Sequence, residues 1–144
     1  MKAIINGRIL MPDEEVFDKA LLFDEKIIGI VDRQSAIRQA DEVIDADDNY
    51  ISPGFIDVHI HGYKGADASD ANQAGIRLMA KELLENGVTA FLPTTTTIQW
   101  ETLERIFWQL RELSKESRRS DYHGAEVLGC HAEGPFINPL RKGA

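Results

Sequence analysis

Apolar and polar positions change rhythm along this chain at Pro53. Before it, short apolar runs cover Lys2 to Ile5, Arg8 to Met11, Ala20 to Phe23, Lys26 to Val31 and Val43 to Ala46. Asn6-Gly7 separates the first two runs, and Asn-Gly is the strongest two-residue hairpin signal. Asp24-Glu25 separates the next pair and predicts a second hairpin. Ser35 to Ala40 reads as one or two helical turns. Residues 1–52 are therefore expected to form a small antiparallel β unit. Its acidic cluster, Asp45, Asp47 and Asp48, reads as a solvated turn, because the glycine and distal glutamate of a calcium loop are missing.

From Pro53 onward the pattern alternates between strand and helix. Gly54 to His61 is the first strand. Ser69 or Asp70 is expected to cap a helix running to about Glu85, with Ile76, Met79, Ala80, Leu83 and Leu84 on one face. Asn86-Gly87 stops it. Val88 to Leu92 is a buried-type strand closed by Pro93. Thr97 is expected to cap a second helix, whose Trp100, Leu103, Ile106, Phe107, Leu110 and Leu113 recur at helical spacing and read as core. Arg118-Arg119 reads as a solvated turn that suits the helix dipole. A third strand runs from Ala125 to His131.

This alternation predicts a parallel α/β sheet with its polar residues at the carboxyl ends of the strands. Only 92 residues run from Pro53 to Ala144, whereas a closed (β/α)8 barrel needs about 250. Three units cannot close, so the expectation is an open sheet or a piece of something longer. The ending Arg141-Lys142-Gly143-Ala144 carries no stop signal and favours the second.

Composition narrows the class. Hydrophobic residues make up 43% of the 144, enough for a core, and no apolar run is long enough to span a membrane. The opening MKAIINGRIL lacks the features of a signal peptide. The net charge of −8 argues against nucleic acid or an acidic membrane surface as partner. Cys130 is the single cysteine, which excludes an internal disulfide and makes a reducing, cytoplasmic compartment the default.

The candidate chemistry lies in PGFIDVHIHG, Pro53 to Gly62. On a strand, Ile56, Val58 and Ile60 point one way while Phe55, Asp57, His59 and His61 point the other. Two histidines at i and i+2 converge on one point, and neutral imidazole suits zinc, iron or nickel. The alternative is a pair of partly exposed strand histidines. Asp57 reads either as a structural carboxylate on backbone N–H groups or as a metal ligand. In HAEGPFI, His131 and Glu133 share a face, and Gly134-Pro135 leaves the carboxylate at the strand end. Glu133 is a candidate metal ligand, with a helix cap as the alternative. His131 is a candidate metal ligand, a residue that supports the ligands or contacts substrate, or a satisfied core histidine. The hydroxyls of Thr94 to Thr97 are candidates for substrate contact, or for a turn and helix cap.

These residues resemble the amidohydrolase superfamily. The matches are PGFIDVHIHG after a small β unit, HG-x-x-GAD-x-x-DA (His61 to Ala71), GVTAFLPTTTT (Gly87 to Thr97) and GCHAEGPFINPLRKGA (Gly129 to Ala144). The last three narrow it to the branch that deacetylates phosphorylated amino sugars. The resemblance implies a partial (β/α)8 TIM barrel of three strands over residues 53–144, preceded by part of a small β-sandwich over residues 1–52. It further implies a divalent-metal site, zinc or iron, of the two-metal type, with Glu133 as a ligand of the main catalytic metal and His59 and His61 as the pair that binds a second, together with a phosphorylated amino-sugar substrate and a homodimeric full-length protein. The family's other metal histidines, its general base and its phosphate-binding residues are implied beyond Ala144, so no catalytic group is assigned here and the chain alone is expected to be inactive. Two other readings stand beside this one: a naturally short, non-catalytic metal-binding or assembly module, and an amidohydrolase acting on a different amide.

Overall fold

Asn6-Gly7, the strongest hairpin signal in the chain, does not make a hairpin. In the computed structural model, which describes residues 1–141, β1 (Lys2–Ile5) and β2 (Arg8–Leu10) leave this pair into different sheets. Asn6 adopts a left-handed φ of 54°, and its carbonyl accepts the Asp48 N–H at 2.8 Å. Gly7 lies against Ile51, where an added Cβ would meet Cδ1 at 2.5 Å. The pair is a close crossing point that excludes a side chain, not a reversal. The end of the last matched motif, Lys142-Gly143-Ala144, lies outside the described residues.

The chain divides into two compact units, Met1–Pro53 and Gly54–Ala144. In the first, β3 (Glu15–Val16), β4 (Lys19–Phe23), β5 (Ile27–Asp32), α1 (Arg33–Gln39), β6 (Glu42–Asp45) and β7 (Tyr50–Ile51) follow in order. They form a four-stranded sheet, β5–β4–β1–β6, and a three-stranded one, β3–β2–β7. The hairpin expected across Asp24-Glu25 forms between β4 and β5. The all-antiparallel expectation is corrected: β1–β6 and β2–β7 run parallel. β5 and β6 point the same way, so a crossover must join them, and α1 supplies it. Asp32 caps α1 by accepting the N–H groups of Gln34 and Ser35. Ala3, Ala20, Leu22 and Ala36 form the core between sheet and helix. Asp45 accepts the Asp47 N–H at 2.9 Å, so the acidic cluster is the expected turn.

In the second unit β8 (Phe55–Ile60) is followed by a small antiparallel hairpin, β9 (Gly62–Tyr63) and β10 (Ala66–Asp67). Then come α2 (Gln73–Leu83), β11 (Val88–Thr95), α3 (Trp100–Glu116), β12 (Glu126–Val127) and β13 (His131–Ala132). β11 is central, and β8, β12 and β13 each pair with it in parallel. Ile76, Met79, Ala80 and Leu83 of α2 pack with Ile106, Leu110 and Leu113 of α3 over Phe91 and Val127, so the 3.6-residue period located the core of both helices.

Several local expectations change. The β9–β10 hairpin occupies the chain before α2, so Asn72 and not Ser69 or Asp70 is the cap. Leu84 falls in a 3₁₀ turn and is exposed. β11 continues through Pro93 to Thr95, because Pro93 sits at a register shift where no ladder N–H is required. Gln99, without a side-chain bond, precedes α3 in place of Thr97. Trp100 is 52% exposed and stacks on Phe136 instead of entering the core. The third strand is broken into β12 and β13. Ile56 and Val58 are exposed, since among the described residues β8 pairs with β11 alone.

Candidate metal centre

The chemistry-bearing residues gather at the carboxyl ends of the parallel strands. His59 is near the end of β8, His61 directly follows it, and Glu133 follows β13. The Nε2 atoms of His59 and His61 are 3.2 Å apart. Glu133 Oε2 lies 3.4 Å from each. These side chains are 39–48% exposed, so the cluster opens to water and to small molecules.

Hydrogen bonding decides which ring nitrogens are bare. His61 Nδ1 lies 3.0 Å from the Thr94 carbonyl, which can only accept, so Nδ1 carries the proton and a neutral ring offers a lone pair at Nε2. His131 is fixed the same way, donating from Nδ1 to the Val58 carbonyl at 3.0 Å. Its ring stands edge-on to His59 with centroids 4.7 Å apart, so it buttresses His59 and does not join the cluster. Asp57 accepts the His59 N–H at 3.0 Å through one carboxylate oxygen.

Thr94 is fully buried. Its hydroxyl accepts the Ile60 N–H at 3.0 Å and donates to the Leu92 carbonyl at 3.1 Å, which turns it away from any substrate. Thr96 and Thr97 are exposed. The Thr96 Oγ1 and N–H both meet the Ser69 hydroxyl, and Thr97 lies where a Cβ on Gly134 would stand, 2.4 Å from its Oγ1. Gly134, at φ +80°, lets the chain turn off β13 beside Thr97 and leaves Glu133 facing the histidines.

A divalent cation fits this donor set. A point equidistant from the three atoms, in their plane, lies about 1.9 Å from each; roughly half an ångström or more out of that plane it reaches the ~2.0–2.1 Å of zinc–nitrogen and zinc–oxygen bonds. Without a cation, one proton on His59 Nε2 could satisfy only one of the lone pairs that meet here. The backbone carbonyls of Thr94 and Val58, which set the tautomers, were not foreseen. A carbonyl has no residue identity, and only the register of β8 on β11 makes it a partner.

The arrangement is a group of three ligand atoms that could hold a metal ion at the carboxyl ends of a parallel α/β sheet. Residues 50–142 match the amidohydrolase family, and the chain belongs to it. The chain is 43% identical over 97 residues to N-acetylglucosamine-6-phosphate deacetylase of Bacillus subtilis (strain 168), covering 67% of this chain and 24% of that protein. It is 38% identical over 141 residues to the Homo sapiens deacetylase of the same name, covering 96% of this chain and 29% of that protein. The crystal structure of N-acetylglucosamine-6-phosphate deacetylase from Pasteurella multocida superposes with a TM-score of 0.85 at 26% identity, covering 99% of this chain and 36% of that one. The chain thus spans between a quarter and about a third of the length of these proteins.

Proposed function

We propose that this chain carries the metal-side ligands of a hydrolase that deacetylates N-acetylglucosamine-6-phosphate to glucosamine-6-phosphate and acetate. On this reading residues 53–144 are the first three β/α units of a (β/α)8 barrel, and residues 1–52 are part of a small β-sandwich domain. The enzyme works as a homodimer in the cytoplasm. The names of the relatives support the substrate. The observation that carries the reading is the triangle of His59 Nε2, His61 Nε2 and Glu133 Oε2.

His59, His61 and Glu133 hold a divalent cation, zinc or iron. When bound, such a cation polarises an amide carbonyl and lowers the pKa of bound water. The chain's own residues prepare the place. Thr94 turns the bare Nε2 of His61 outward, His131 flanks His59, and Glu133 supplies the negative charge. None of the described residues is assigned here to carry the proton from water to the leaving amine. Asp57 is engaged with the His59 N–H and Glu133 with both rings. That group belongs to the part of the relatives that this chain does not cover, and the 144 residues alone are inactive.

The test measures the intact mass of the natural polypeptide together with acetate release. Activity on N-acetylglucosamine-6-phosphate from a polypeptide well above 16.1 kDa supports the proposal. A natural 16.1 kDa product that binds metal and releases nothing would instead be a non-catalytic metal-binding module. Hydrolysis of a cyclic amide but not of the sugar phosphate would move the substrate to another amide.

A further inference from the structure

We infer that Thr94 is the positioning residue that brings the two histidines together, through its hydroxyl and its carbonyl at once, and so sets the affinity of the centre for a divalent cation. The inference rests on the metal reading above. It begins with the register of β8 on β11. Phe91 pairs with Asp57 and Pro93 with Ile60. Val58 and His59 therefore face Leu92 alone, which is a bulge, and bulges re-aim side chains.

On a straight strand, residues i and i+2 are about 6.6 Å apart. That is a backbone spacing; the side chains of His59 and His61 lean together across it, with their Nε2 atoms 3.2 Å apart. The Ile60 N–H, between the two histidines, is taken by the Thr94 hydroxyl. That hydroxyl is tied in turn to the Leu92 carbonyl, opposite the bulge. Thr94 is fully buried, so water does not replace it. Its carbonyl then takes the His61 Nδ1–H. One residue thus pins the backbone between the ligands and selects the tautomer of one of them. Valine has the same shape and can hold neither end of the hydroxyl link.

The experiment uses Co²⁺ as a spectroscopic probe on the full chain, with histidine ¹⁵N NMR of the metal-free form. Thr94→Val is expected to weaken Co²⁺ binding about 10- to 100-fold, as loss of a group that orients a metal ligand does. It should also convert His61 from the Nδ1–H form to a mixture of tautomers. Thr94→Ser, which keeps the hydroxyl, binds as the unmodified chain does. Thr95→Val is the structural control: Thr95 is equally buried and its hydroxyl takes no part in the link to Ile60 and Leu92, so its loss leaves Co²⁺ affinity unchanged. If Thr94→Val does not unfold cooperatively, Thr94→Ala is the second hydroxyl-free variant. Unchanged affinity and an unchanged His61 tautomer in a folded hydroxyl-free variant overturn the inference. If the unmodified chain binds no Co²⁺, the metal reading falls on its own. The tautomer then decides: scrambling in Thr94→Val supports the positioning role, and its retention overturns it.

Discussion

Glu133→Gln separates a metal ligand from a structural carboxylate by the sign of its effect. Without metal, the carboxylate faces two imidazole nitrogens, at least one of which offers a lone pair. Replacing it by a neutral amide relieves repulsion, so the metal-free variant is expected to unfold at the same temperature or slightly higher. With metal the sign reverses. Charged hydrogen-bonding and ligating groups contribute about 1.5–3 kcal/mol, and at about 1.4 kcal/mol per decade this is roughly a 10- to 100-fold loss of affinity. The half-exposed site argues for the lower part of that range.

The thermal consequence follows by linkage. Metal at 100 times its Kd stabilises the folded form by about 2.7 kcal/mol. For a variant whose Kd is 30-fold higher, the same concentration gives about 0.9 kcal/mol. The difference, about 2 kcal/mol, corresponds to roughly 8 °C or more for a unit of this size. The assay is thermal unfolding with and without Co²⁺, paired with competition against a chromophoric chelator. A metal-free Tm that drops, with an unchanged response to metal, would refute the reasoning and make Glu133 a structural cap.

Met79→Ala opens a cavity under α2 in a fully buried position; denaturant unfolding should show a loss of about 2–5 kcal/mol. Arg77→Met removes a bidentate pair with Glu116 and should cost about 0.5–1 kcal/mol at neutral pH, small because both partners are more than a third exposed. Arg77 holds the Glu116 carboxyl below its ordinary 4.5, so the contribution is present above that value and is lost as pH falls through the lowered one; stability measured from pH 6 downward should therefore fall less steeply in the variant. Ile56→Lys places a charge on the exposed edge strand β8; sedimentation should show less concentration-dependent self-association, and an unchanged distribution would contradict the edge argument.

The parts of the fold that were legible in the sequence are those written in side-chain periodicity. The apolar stripe of α2, Ile76, Met79, Ala80 and Leu83, is buried as its spacing requires. The stripe of α3 holds at Leu103, Ile106, Leu110 and Leu113 but not at Phe107, which is half-buried, nor at Trp100, which is in the first turn and finds Phe136 instead of the core. Pairing between strands was less legible. Asn6-Gly7 carries hairpin chemistry, yet Ile51 and the turn before it occupy the space beside the pair, and the two flanking runs go to separate sheets. A local turn preference of this kind yields when tertiary packing can satisfy the same backbone groups elsewhere.

The site divides along the same line. His59, His61 and Glu133 could be singled out because imidazole and carboxylate are recognisable in a string of letters. What makes them a centre is which nitrogen is bare, and the Thr94 carbonyl decides that for His61. Any residue at position 94 would supply a carbonyl. Only the bulged register brings this one within 3.0 Å of the ring. That register depends on Pro93, which has no N–H to offer, and on the Thr94 hydroxyl, which takes up the Ile60 N–H. In sequence these two residues read as a strand stop and a turn. In the fold they hold the strand that carries both histidines, so the PTTTT run is part of the centre although none of its side chains joins the cluster.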